Sequence, residues 1–170
     1  ADTYLLTDGS SFLQFKKLLD KRFLSIKNDF KEHPLLEKYS FNEILVIASL
    51  LEKEGIDLDD KKKIYSVIIN RLKLNMKLQI DATVIFSLTE GKRDLERKLT
   101  YSDLKIENPY NTYINYGLPP GPISYVGYKT IELIFEDYKT DYLFYFYSSL
   151  ENKHIFSSNY KDHLKKLNEY

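Results

Sequence analysis

The stretch Ser40-Phe41-Asn42-Glu43-Ile44-Leu45-Val46-Ile47-Ala48-Ser49-Leu50-Leu51-Glu52-Lys53-Glu54-Gly55 decides the fold class. Ser40 and Glu43 have the spacing of a capping box, in which the serine accepts from the N3 amide and the glutamate reaches back to the N-cap. The apolar run behind them carries a helix to about Glu54, with Gly55 as its stop. The run from Ile44 to Leu51 is far short of the roughly 20 residues that a membrane span needs.

Other helices flank this one. Upstream, Phe12, Phe15, Leu18, Leu19, Phe23 and Ile26 recur at three- and four-residue steps, so Ser11 to Phe30 reads as an amphipathic helix. Glu32-His33-Pro34 breaks it, because the residue before a proline is driven out of the helical region. Downstream, Asp57 to Asp60 suits the N-terminus of a third helix through its dipole. That helix carries Ile64, Val67, Ile68 and Leu72 on one face and ends near Asn75. Ala82 to Leu88 fits a short helix better than a buried strand. Thr89 to Arg97 reads as a charged connection, and Pro109 to Pro122 as an irregular one. Tyr128 to Tyr138 is expected to be helical. Asp141 to Ser148 and Lys153 to Ser157 flank Leu150-Glu151-Asn152 as a hairpin, and Tyr160 to Glu169 closes the chain as a helix. The expected class is α+β, a mostly helical domain with a small antiparallel β-sheet, spanning 1–170 as one unit.

Composition narrows the function classes. The chain has 170 residues and no cysteine, which excludes a disulfide framework, a thiolate nucleophile and a Cys-ligated metal. Twenty-five basic residues balance twenty-five acidic ones, against the basic excess of a protein that grips nucleic acid through phosphates. The first residues, Ala1-Asp2-Thr3-Tyr4, carry no methionine. The expectation is a fragment or a processed form. The abundance of Tyr and Phe with no Trp reads as coding bias.

Among the acidic residues, Glu52 stands out by angle. With Phe41 at zero and about 100° per residue, Leu45 falls at about 40°, Ala48 at about 340° and Glu52 at about 20°. Glu52 therefore shares the apolar stripe, while Glu54, at about 220°, points away from it. A carboxyl on the core-facing side loses solvation, and its pKa rises. A neutral carboxylic acid is what glycosidic cleavage requires. Reaching water, or pairing with Arg71, is the competing role. Asn70 and Arg71 read as a capping amide and an ion-pair partner. Gln79 and Asp81 share a face if extended, though Asp81 equally suits capping the next helix. Asn108-Pro109-Tyr110-Asn111-Thr112-Tyr113 and Gly117-Leu118-Pro119-Pro120-Gly121-Pro122 form a preorganised segment. Such a segment serves as well for a sugar site as for a rigid connection. His154 and His163 lack the companions a metal needs.

Several stretches in order carry a resemblance: Ala48-Ser49-Leu50-Leu51-Glu52-Lys53-Glu54, Asn70-Arg71-Leu72, Met76 to Ile85, Pro109 to Tyr113, Gly117 to Ser124 and His154-Ile155-Phe156-Ser157. Together they resemble the endolytic murein transglycosylases of the MltG (YceG-like) family, and Asp2-Thr3-Tyr4 matches the opening of that family's catalytic domain. The resemblance implies Glu52 as the catalytic acid and base. It implies Asn70, Gln79, Asp81, Tyr110, Asn111, Thr112, Tyr113 and His154 as substrate-binding residues in or beside the cleft. It implies no cofactor and no metal. The substrate would be nascent peptidoglycan glycan strands, cut internally to leave 1,6-anhydro-N-acetylmuramic acid ends. Cell-wall synthases would be partners. A membrane anchor and a LysM-like subdomain would lie outside this chain, with the catalytic domain on the periplasmic side of the cytoplasmic membrane. Two positions depart from the family pattern, which usually has Pro where Ala82 stands and Asn-Pro where Tyr125-Val126 stand. A hydrolytic muramidase and a non-catalytic peptidoglycan-binding module are the other classes open to these residues.

Overall fold

A computed structural model describes residues 5–170, so the Asp2-Thr3-Tyr4 match lies outside the described residues. The helices are α1 (Phe12–Asp29), α2 (Phe41–Glu54), α3 (Leu58–Lys73), α4 (Asp81–Thr89), α5 (Tyr128–Phe135) and α6 (Tyr160–Glu169). The strands β1 (Phe144–Ser148) and β2 (Lys153–Ser157) pair antiparallel, with Phe144 opposite Ser157 and Ser148 opposite Lys153. The α+β expectation holds. Two short 3-10 turns, Pro34–Glu37 and Asp103–Lys105, were not legible in the sequence.

Helix α2 is the centre of the molecule. Its capping box forms as expected, with the Ser40 side chain accepting from the Glu43 amide and Glu43 returning to the Ser40 amide. Ile44, Val46, Ile47, Ala48, Ser49, Leu50 and Leu51 are all buried and Leu45 is half-buried, so its middle is nearly enclosed. It packs on α3, α5 and α4. Gly55 does end it, but with φ of −83° rather than a left-handed cap. The glycine is needed for a different reason. A Cβ there would meet Lys61 Cγ at 2.2 Å, so its absence lets α3 lay Lys61 across the end of α2.

Helix α1 has no buried residues. It touches the core through half-buried Ile26 and Phe30, and Phe30 stacks on Phe135 at 4.1 Å. The hairpin is fastened to α3 by polar side chains. Asn70 donates to the carbonyls of Thr140 and Tyr142. Arg71 donates to the carbonyls of Leu143, Lys77 and Leu78. Every buried side-chain nitrogen and oxygen among the described residues has a partner.

Candidate active site

The last turn of α2 carries Glu52 and Glu54 into different surroundings. Glu52 forms an ion pair with Lys61, Oε2 to Nζ 2.5 Å, with the two side chains 22% and 13% exposed. Its Oε1 accepts from the Gly127 amide at 2.9 Å, and Lys61 also donates to the Thr130 hydroxyl. Burial alone would raise the Glu52 pKa. The bonds from Lys61, Gly127 and Thr130 outweigh it and hold the carboxyl below its ordinary value. The expectation of a neutral acid at Glu52 is therefore corrected: the residue is a carboxylate paired with an ammonium.

Glu54 was expected to face away from the core. It is instead enclosed. Tyr145 on β1 donates to its Oε2 at 2.9 Å, and the Ala82 amide in the first turn of α4 bonds to it as well. Burial pushes its pKa up, and the nearby Asp81 charge adds to the rise, so the net shift is upward despite the Tyr145 bond and His154. The side of α2 away from its apolar stripe is covered at this level by α4 and the hairpin, although Lys53 in the same turn is exposed. At 220° Glu54 meets the hairpin and α4 instead of water.

Glu54 lines a groove of about 890 Å³ with Asp81, Ile85 and Phe86 of α4 and with Pro122, Ile123, Ser124 and Tyr125. Residues 90–95 complete the lining. The size falls within the roughly 300–1,000 Å³ of small-molecule sites. Helix α4 forms one wall because Gln79, at φ 52°, turns the chain so that its amide reaches the Thr112 carbonyl. Asp81 is the first residue of α4 and makes no cap bond with that helix. The Tyr113 hydroxyl donates to Asp81 Oδ1 at 2.5 Å. The 122–125 segment is tied to α2: the Ile123 amide donates to Ser49 Oγ at 3.0 Å and the Ser124 hydroxyl to the Ser49 carbonyl at 2.9 Å. Glu52 holds the same segment at Gly127, so it serves the wall of the groove and does not line its interior.

The other expected binding residues divide into three groups. Asp81 lines the groove, and Tyr113 touches it through Asp81. Asn70, Asn111 and Thr112 spend their polar atoms on the scaffold. Asn70 holds the hairpin as described. The buried Asn111 amide donates to the carbonyls of Leu104 and Ile106. The buried Thr112 hydroxyl accepts from the Ile80 amide and bonds the Thr83 hydroxyl. Tyr110 packs on Phe86 behind the wall at 4.6 Å, and Gln79 is exposed outside the groove. His154 Nδ1 lies 2.8 Å from Asp60 Oδ2, and its ring meets Tyr145 edge-on at 5.4 Å, one step back from Glu54. The groove gathers Asp81 and the 122–125 segment with Glu54, while Glu52, Gln79 and residues 109–121 do not line it. Sequence reasoning missed Tyr145 and the 90–95 segment. The pair of carboxylates two apart in Glu52-Lys53-Glu54 was the one available signal. No group of three or more metal-ligating side chains gathers among the described residues.

Residues 1–169 match the YceG-like family. The chain is 37% identical over 169 residues to an endolytic murein transglycosylase of Bacillus subtilis, covering 99% of this chain and 46% of that protein. It is 36% identical over 132 residues to an endolytic murein transglycosylase of Streptococcus pneumoniae, 76% of this chain and 24% of that protein. The crystal structure of a YceG-like protein from Listeria monocytogenes superposes with a TM-score of 0.79 at 34% identity, over 97% of this chain and 52% of that one. The chain therefore spans less than half the length of these two curated relatives.

Proposed function

Since this chain belongs to the YceG-like family, we propose that it is an endolytic lytic transglycosylase of peptidoglycan glycan strands, with Glu54 as its single acid and base. The observation that carries this reading is a desolvated carboxyl of raised pKa on the wall of an open groove. Neutral Glu54 protonates the oxygen between N-acetylmuramic acid and N-acetylglucosamine. The carboxylate left behind takes the proton from the muramic C6 hydroxyl, which attacks C1 of its own ring. The nucleophile belongs to the substrate, so proximity favours it over water. Tyr145 and the Ala82 amide stabilise the carboxylate between the two proton transfers. Asp81, charged and beside the groove, favours positive charge on the sugar ring. The substrate lies outside the cytoplasmic membrane, so the site belongs on that side, and enzymes that extend glycan strands are its natural partners.

Asp81 also supports a second reading, since two carboxyls in one groove suit a hydrolase. Digestion of purified strands in ¹⁸O-water separates the two. Anhydro ends without label support the lyase, and labelled reducing ends refute it. Exchange of the acid identifies the residue. Glu54→Gln is expected to lower turnover by roughly 10²–10⁴-fold, the span of general acid–base catalysis. Glu52→Gln keeps an acceptor for Gly127 but loses the Lys61 ion pair, and is expected to lower activity far less than Glu54→Gln. The reverse ranking would return the acid to Glu52.

A further inference from the structure

We propose that the ring of Tyr125 is a sugar-stacking platform, a subsite on the groove wall for the apolar face of one pyranose of a glycan strand. The proposal rests on the glycan-cutting reading above and adds to it the residue that holds a sugar beside the acid.

Tyr125 is 92% exposed and lines the same groove as Glu54 and Asp81. Single exposed aromatics are ordinary on protein surfaces. Tyr101 and Tyr116 are exposed too, and neither lines the groove. What sets Tyr125 apart is how firmly its backbone is held. Before it, Ile123 and Ser124 are hydrogen-bonded to Ser49, and the Ser124 hydroxyl also lies 3.2 Å from the Tyr125 carbonyl oxygen. After it, Val126 packs against the core, and the Gly127 amide donates to Glu52, which Lys61 holds in turn. Ser49 and Glu52 lie one turn apart on α2, the helix that ends in Glu54. The base of the ring is thus fixed relative to the acid.

The chemistry fits a sugar. A pyranose ring has a face of C–H groups and a rim of hydroxyls. A tyrosine ring covers the face at low entropic cost, since it has two side-chain torsions. Asp81 and Ser124 stand in the same groove to meet the rim. An exposed aromatic with a rigid base is wasted as packing but suited to a ligand that arrives from solvent.

Binding of soluble, stem-free strands of alternating N-acetylglucosamine and N-acetylmuramic acid to the Glu54→Gln chain tests this by calorimetry. Adding Tyr125→Ala or Tyr125→Leu is expected to weaken binding by roughly three- to tenfold, whereas Tyr125→Phe keeps it, because stacking needs a planar ring. The thermal midpoint should not move, since the side chain packs on nothing. Equal affinity in Tyr125→Ala and its parent overturns the subsite and leaves the proposed function standing. A loss shared by Tyr125→Phe assigns the effect to the hydroxyl and overturns stacking. A parent that binds no strand overturns both readings.

Discussion

Glu54 loses its water to Tyr145 and α4, whereas Glu52 loses its water to an ammonium, and the two carboxyls move in opposite directions. At the residue scale this makes testable differences. Tyr145→Phe removes a donor that favours the Glu54 carboxylate, so the Glu54 pKa rises further and the alkaline limb of the pH–rate profile shifts upward. An unmoved limb would show that Tyr145 only packs. Linkage gives a second expectation. The Glu54 pKa is raised on folding above its ordinary 4.5, so the folded chain holds that proton where the unfolded chain has lost it. The resulting stabilisation is full below pH 4.5 and disappears as pH rises through the folded-state pKa. At pH 7 the raised pKa is a cost relative to an uncharged side chain that never titrates. Glu54→Gln should therefore melt above the parent at pH 7, with the gap closing toward pH 4, as followed by thermal denaturation. A gap that widens on acidification would contradict the upward shift. Glu52 runs the other way: its lowered pKa stabilises above 4.5, and the benefit fades as pH falls through the folded value.

At the scale of elements, the end of α2 and the start of α3 act as one fitting. Gly55 admits Lys61, Lys61 neutralises Glu52, and Glu52 holds Gly127 at the N-cap of α5. Gly127 carries its own constraint, since a Cβ there would meet Glu52 Oε1 at 3.2 Å. Gly55→Ala forces a methyl group into the Lys61 stem. It is expected to cost about 1–3 kcal/mol, the range for overpacking, read from urea denaturation. Activity should fall with it, because displaced Lys61 releases Glu52 and loosens the 122–127 wall. Unchanged stability would mean that Lys61 moves aside freely and the fitting is slack. The hairpin is the other fitting. Asn70 and Arg71 take up the carbonyls of 140, 142 and 143, so β1 begins at Phe144 rather than at Asp141 as its sequence suggested. Those bonds place Tyr145 against Glu54.

Across the whole molecule, the core is concentrated in α2, α3 and α5, and α1 rests on it from outside. Ile44, Ile47, Leu50 and Leu51 have no exposure, while Phe12 and Leu13 stand mostly in water. Native-state hydrogen exchange is expected to show α1 amides opening at lower free energy than those of α2 and α3, which should exchange only through global unfolding. Equal protection in α1 and α2 would refute this ordering. The groove sits where α2, α4 and the 122–125 segment converge, with β1 behind Glu54. None of these elements makes the site alone.

The sequence by itself determined the elements, because their signals are local. The capping box of α2, the periodic apolar positions of α1 and α3, and the paired aromatic runs of the hairpin act within a few residues and survive without the rest of the chain. It also determined the family, through motifs spread over nearly the full length. It did not determine which carboxyl is desolvated. That depends on Lys61 meeting Glu52 and on Tyr145 and Ala82 meeting Glu54. A helical wheel places Glu52 in the apolar stripe, and the tertiary structure supplies it with a half-buried cation. The same wheel points Glu54 away from the core, where Tyr145 of a hairpin 91 residues further along the chain bonds to it. Solvation is a property of everything within a few ångströms of an atom, so only the folded arrangement of distant segments decided where the acid stands.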